Sequence, residues 1–195
     1  MRHPLLIALL SAGWGAGVHH PLLAQSPVVY RLEVRGEIEN GLAPYIARGL
    51  RMAQTRQAAA VYLDMDTPGG RVDAAERIAD AIRASTVPVY TWVDPRAYSA
   101  GALIALSTNG IYMRSGAVLG AATPVGGSGE KLPEKYVSAM RGEFRALAEA
   151  RGLDPKIAEA MVDEKLGVPG LVEPGQLVTL STSEAIRVSG PNSAV

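Results

Sequence analysis

The sequence predicts a single α/β domain built around a parallel or mixed sheet, and three observations carry that reading. From Pro27 onward, runs with strand character alternate with longer runs whose apolar residues recur every three or four positions. At 195 residues and 20.5 kDa, the chain has the size of one domain with a substantial core. Apolar residues make up 48% of it and charged residues 19%, which excludes a disordered polyelectrolyte.

Residues 28–34, Val-Val-Tyr-Arg-Leu-Glu-Val, alternate at period 2 and predict the first strand. Over 42–55, Leu42, Tyr45, Ile46, Leu50 and Ala53 fall at helical spacing. The short apolar run 59–63 predicts a strand buried on both faces. The turn Asp66-Thr67-Pro68-Gly69-Gly70 then opens a helix over 71–84, with Val72, Ala75, Ile78, Ala79 and Ile82 facing inward. A strand over 87–93 is followed, after Asp94-Pro95-Arg96-Ala97-Tyr98, by a small, apolar, buried helix over 99–106. Residues 111–113 and 118–121 predict short strands, and the Gly-rich stretch 123–134 a flexible loop. Helices over 134–150 and 155–161 come next, and the chain closes with Leu177-Val178-Thr179-Leu180 and a helix over 184–188. No fixed-period repeat is present.

Basic and acidic side chains are balanced at 19 each, so bulk charge selects no partner, nucleic acid included. Arg48, Arg51, Arg56, Arg71, Arg77 and Arg83 fall at intervals that suit solvated helix faces. Cysteine is absent, which removes disulfides, thiolate metal sites and a thiol nucleophile. Met1-Arg2-His3, the apolar run over 5–10 and the small residues up to Ala24 form the pattern of a secretory signal peptide over 1–24, cleaved near Ala24. That run is far short of the ~20 residues that cross a bilayer, and no later apolar segment is long enough either. The mature chain is therefore expected to be exported, acting on the outer side of the cytoplasmic membrane. All three histidines, His3, His19 and His20, lie inside this leader. A mature chain without them has no Ser-His-Asp triad and no His-ligated zinc site, and neither metal nor cofactor is expected. Asp64 and Asp66 share a strand face around Met65, but no third ligand or acid follows nearby, which disfavours a metal or a glycosidase pair.

Two turns join a predicted strand end to a helix start, where α/β sheets gather their ligands: Asp66 to Gly70, and Ala97-Tyr98-Ser99-Ala100-Gly101. Glycine backbone N–H groups at a helix N-terminus suit an oxyanion; the absence of Gly-x-Gly-x-x-Gly and Walker patterns lowers a nucleotide reading. Ser99 is the candidate nucleophile, with the Ala100 N–H available to an oxyanion, although a serine at a helix start is commonly only a cap. Without histidine, the base must be Lys, Asp, Glu, Tyr or the N-terminal amine, and a lysine serves only if burial strips its proton. Of the lysines Lys131, Lys135, Lys156 and Lys165, Lys135 fits best, beside Tyr136, Val137 and Met140 and directly after the flexible loop. Lys131, inside the loop, is the fallback, and Lys156 and Lys165 read as solvated surface charges.

Five segments together carry a family resemblance: Arg35-Gly36-Glu37-Ile38, Asp66-Thr67-Pro68-Gly69-Gly70, Tyr98-Ser99-Ala100-Gly101-Ala102, Gly120-Ala121-Ala122-Thr123-Pro124, and Leu180-Ser181-Thr182-Ser183-Glu184-Ala185. The chain resembles the NfeD-type membrane-associated serine proteases, which group with Clp protease and signal peptide peptidase A in the ClpP/crotonase superfamily. The resemblance implies an α/β fold of repeated ββα units in a single domain over 25–195, and homo-oligomerisation. It implies a Ser-Lys dyad of Ser99 and Lys135, oxyanion donors at Gly70 and Ala100, and substrate contacts from Gly69, Tyr98, Thr123 and Pro124. Substrates would be apolar peptide segments of membrane proteins, with stomatin-like proteins as the usual partner. Full-length relatives continue into a membrane-spanning region and a small β-barrel; neither is within these 195 residues, so the sequence reads as a protease-only form or a truncated product. Two alternatives stay open: a binding module without activity, and a crotonase-type acyl-CoA enzyme, in which Ser99 and Lys135 have no task.

Overall fold

The computed structural model describes residues 26–189, so the expected leader over 1–24 lies outside the described residues. The elements run β1 (Val29–Arg35), α1 (Leu42–Thr55), β2 (Ala60–Thr67), α2 (Val72–Arg83), β3 (Val89–Tyr98), α3 (Ala100–Leu106), β4 (Gly110–Met113), β5 (Val118–Gly120), α4 (Glu134–Ala150), α5 (Pro155–Ala160), β6 (Thr179–Ser181) and α6 (Thr182–Ser189). The sheet order is β1-β2-β3-β5-β6, with β4 pairing the first half of β3 while β5 pairs its far end. β1 to β5 pair in parallel, and β6 closes antiparallel on β5. Each parallel step needs a crossover, which α1, α2 and α3 supply in turn.

Alternation along the strands decides which face is covered. Leu32, Val34, Val61, Leu63, Met65, Val89, Val93 and Ile111 are buried in one continuous core with the helices. Small residues let the layers close: Gly49 of α1 lies so near Leu32 that a Cβ there would collide with its side chain. In α2, Ala75, Ile78, Ala79 and Ile82 are buried as the sequence predicts, with Ala74 joining the stripe and Val72, at the helix start, only partly covered. α5 starts where Asp154 accepts a hydrogen bond from the Lys156 N–H (2.8 Å) and Pro155 takes the first helical position.

Three expectations need correction. The strand expected to end at residue 93 does not stop there: β3 runs on to Tyr98 because its far end gains a new partner in β5 and must satisfy its backbone groups there. Its register against β2 shifts so that Met65 faces Val93 while Thr67 faces Ala97, which is a bulge. β2 is not buried on both faces. It continues past Leu63 to Thr67, and on its uncovered face Tyr62 is only half-buried. The stretch 123–134 forms a closed hairpin: Val125 pairs with Lys131, the Gly126 N–H donates to the Glu130 carbonyl (2.8 Å), and the Leu132 N–H to that of Pro124 (3.0 Å). Glycine marks the chain reversal there, and composition alone does not reveal the pairing across it.

Asp64 sits on the uncovered face yet is only 5% exposed, with the guanidinium groups of Arg31 and Arg35 closed on its carboxylate. Arg35 donates to both of its oxygens (2.9 and 2.8 Å), and Arg31 donates to Oδ2 through Nε (2.9 Å). Burial alone raises the Asp64 pKa, but the two guanidinium groups outweigh it and hold the carboxyl below its ordinary value. The pair Asp64 and Asp66 is thus structural, since Asp66 is taken by Arg96 (2.7 Å). Asp64→Asn is expected to cost about 1–2 kcal/mol at neutral pH. Because the folded carboxyl titrates below its unfolded value, the gap to the parent should be full above about pH 4 and close as pH falls through the depressed folded value; thermal melts at both ends of that window check it.

Candidate active site

The ends of β2 and β3 bring the two glycine-containing turns into contact. Gly69, at φ +108, lies against Ser99 so closely that a Cβ at Gly69 would stand 2.6 Å from the Ser99 Cβ and 3.1 Å from the Tyr98 carbonyl oxygen. Gly70, at φ +150, is pressed against the Ile38 backbone, where a Cβ would collide with its N and O atoms. This contact is a short parallel bridge: the Ile38 N–H donates to the Gly69 carbonyl (2.8 Å), and the Arg71 N–H to the Ile38 carbonyl (2.8 Å). Gly69 is fixed further by its N–H donating to the Thr67 hydroxyl (3.0 Å). On the other side, Gly101 lets α3 settle onto Thr67, whose methyl group a Cβ would strike.

Ser99 sits at the N-cap position of α3 with φ +54 and ψ −120, a backbone conformation that costs a non-glycine residue about 1–3 kcal/mol. Its N–H donates to the Gly120 carbonyl (2.9 Å), which holds the strained residue in place. Its side chain makes no capping hydrogen bond, so the bland role for a serine at this position is not the one adopted. Ser99 lines a cleft with Gly70, Val72, Ala100, Leu103, Ala122, Pro124, Val125 and Met140. Neither the Gly70 nor the Ala100 N–H donates to a backbone carbonyl among the described residues. A hydroxyl that caps nothing thus shares an apolar cleft with two residues whose N–H groups stay open, an arrangement suited to acyl transfer.

Of the residues singled out in the sequence, Gly69, Gly70, Ser99, Ala100 and Pro124 come together. Tyr98 ends β3 half-buried behind the turn, and the Thr123 hydroxyl donates to the Val162 carbonyl (2.7 Å) instead of lining the cleft. Lys135 lies exposed on the first turn of α4, its Nζ 5.9 Å from the centre of the Tyr136 ring. Lys131 is paired with Glu164 (2.8 Å), and this hydrogen bond raises its pKa, which disqualifies it as a base in this arrangement. Lys156 and Lys165 are surface charges as expected. The sequence did not flag the clamp behind the cleft. There, the Ala122 N–H donates to the Met161 carbonyl (2.6 Å), and Asp163, 2% exposed, takes Arg141 of α4 and the Lys165 N–H (3.1 Å). A lone Asp and Arg 22 positions apart leave no local signal. Among the described residues no cluster of acids or histidines could hold a metal, and none of the cleft residues is a metal ligand.

The model of the NfeD1b N-terminal domain matches residues 28–195. This chain belongs to that family. The membrane protein NfeD1b of Bacillus subtilis is 39% identical over 173 residues, covering 88% of this chain and 40% of that protein. The membrane-bound protease PH1510 of Pyrococcus horikoshii is 32% identical over 156 residues, covering 76% of this chain and 35% of that one. The chain thus spans well under half the length of these curated relatives. Two solved structures named as a 1510-N membrane-bound stomatin-specific protease match closely. A serine-to-alanine variant has TM-score 0.73 and 28% identity over 84% of this chain and 77% of its own. A lysine-to-alanine variant holding a substrate peptide has TM-score 0.74 and 27% identity over 85% and 74%. ClpP1 of Listeria monocytogenes, at 19% identity and TM-score 0.63 over 82% of this chain and 86% of its own, shares the fold. The NfeD1b domain therefore has a ClpP-like α/β fold, and its likeness to proteases supports a protease.

The strain at Ser99 predicts that glycine there stabilises the fold and alanine does not. Ser99→Gly should add about 1 kcal/mol of stability, because glycine adopts this backbone freely, while Ser99→Ala should leave it near the parent. Gly70→Ala should lower it by more than about 2 kcal/mol through the clash with Ile38; thermal denaturation of the three variants measures all of this.

Proposed function

We propose that this domain is a serine endopeptidase with a Ser-Lys dyad. The observation that carries the reading is the strained Ser99, its hydroxyl uncommitted to capping and facing a cleft shared with Gly70 and Ala100. The Ser99 Oγ attacks the scissile carbonyl while neutral Lys135 takes its proton, and the Gly70 and Ala100 N–H groups hold the resulting oxyanion. Lys135 then protonates the leaving amine, and water hydrolyses the Ser99 ester by the same proton route in reverse. Lys135 must come in from its exposed place on α4, and a peptide lying between the 123–134 hairpin and the Gly70 turn supplies the apolar cover that keeps a lysine neutral.

The cleft walls Val72, Leu103, Ala122, Val125 and Met140 carry no charge, which suits apolar peptide segments. Solved relatives are named as stomatin-specific, which supports a stomatin-like membrane protein as substrate. Export through the leader over 1–24 would put the domain on the outer side of the membrane. A second reading has one observation in its favour: no lysine lines the Ser99 cleft, as would hold for a domain that grips such a segment without cutting it.

Incubation of an apolar, stomatin-like peptide with the parent, Ser99→Ala and Lys135→Ala, read by mass spectrometry, separates the two. Cleavage by the parent, with a loss of at least about a hundredfold in each variant, is expected. Binding of the peptide by all three without product would favour the gripping module.

A further inference from the structure

Four consecutive residues after α5 each hold a different point of the chain that borders the Ser99 cleft. The Met161 carbonyl accepts from the Ala122 N–H (2.6 Å), and the Val162 carbonyl accepts from the Thr123 hydroxyl (2.7 Å). The Asp163 carboxylate takes Arg141 of α4, and the Glu164 carboxylate takes Lys131 of the hairpin (2.8 Å). Residues 122–141 are thus pinned at their start, middle and end to one short segment, and Lys135 lies between the last two pins. Met161, Val162 and Asp163 are buried, which makes this segment a frame fixed to the core.

The two pins that flank Lys135 differ in kind. Asp163 is buried, so losing Arg141 would leave it an uncompensated charge, and the fully buried Val137 holds the same end of α4. Lys131 and Glu164 keep 34% and 43% of their side chains in water, and an exposed pair of this kind opens readily. Between Lys131 and Val137, residues 133–136 are exposed, and Glu134 makes only long contacts, 3.6 Å to Arg141 and 4.0 Å to Lys165. The first turn of α4 is therefore free to swing about Val137 and Arg141 once Lys131 lets go. Resting on the Ser-Lys reading above, we propose that Asp163 and Glu164 are positioning residues of opposite sense. The Asp163–Arg141 pair is the pivot that aims α4 at Ser99, and the Glu164–Lys131 pair is the catch that keeps Lys135 away until a peptide enters. Val125 lines the cleft and pairs with Lys131 across the hairpin, so an apolar segment packing on Val125 acts on the strand that carries the catch. Such a peptide releases the catch by binding the released state more tightly than the held one.

The rate at which a fluorophosphonate labels Ser99 in the full chain tests this without a peptide. Glu164→Gln and Lys131→Gln should each speed labelling about two- to fivefold, and the double variant no more than either alone, because both remove the same pair. Asp163→Asn should slow it by at least about tenfold, since a swing about a loosened pivot misplaces Lys135. Loss of a residue that only supports the fold does not speed a serine, so opposite signs at adjacent positions separate positioning from scaffolding. Where Asp163→Asn fails to fold by circular dichroism, the two surface variants decide. A parent that is not labelled, or is labelled as fast in Lys135→Ala, overturns the Ser-Lys reading and this inference with it. Labelling that depends on Lys135 yet is unchanged or slower in Glu164→Gln, or gains that add in the double variant, overturns the catch alone. A folded Asp163→Asn protein labelled as fast as the parent overturns the pivot.

Discussion

The candidate site depends on how closely the end of β2 can lie against its neighbours. Gly69 touches Ser99, and Gly70 touches the Ile38 backbone; a single methyl group at either position would push the turn off its support. Other features follow from that contact. The Ile38 bridge uses the Gly69 carbonyl and the Arg71 N–H, which turns the Gly70 N–H to the opposite side. Gly101 repeats the device under α3, letting the helix start directly behind the serine. Strain at Ser99 is then maintained by structure around it, by the Gly120 carbonyl on one side and the Gly69 backbone on the other.

Much of the fold was legible because burial has a period. The alternation over 28–34 and the helical spacing of Val72, Ala75, Ile78 and Ile82 each point to one covered face, and the elements lie where those patterns put them. What failed was local chemistry overridden by distant pairing. Pro95 and Arg96 look like turn residues, yet β5 and Asp66 recruit them into a strand. The glycines of 123–134 look flexible, yet Val125 and Lys131 pair across them. The strand-to-helix turns drew attention to Ser99 and the paired glycines, but it was the family resemblance that singled out Gly70 as an oxyanion donor. The Arg141–Asp163 clamp could not be read from the sequence, because Arg141 lies in α4 and Asp163 in the segment after α5, with no shared motif.

Charge is arranged to different ends on different parts of the molecule. Behind the cleft, Asp163 is buried and tied to α4 through Arg141, so the helix that carries Lys135 and Met140 is anchored at the residue directly after Met140. Lys131, by contrast, is held outward by Glu164 on the hairpin. Ser99, Gly70 and Ala100 are thus assembled around one cleft while Lys135 stands apart from it, and the proposed mechanism requires a bound peptide to bring them together.

The proposed role of Ser99 as nucleophile is tested most directly by a fluorophosphonate reagent, which reports attack by a serine without requiring the right peptide. Mass spectrometry of the labelled chain should find one adduct, on Ser99, formed far more slowly in Lys135→Ala. No adduct, or an adduct on another serine, would contradict the account.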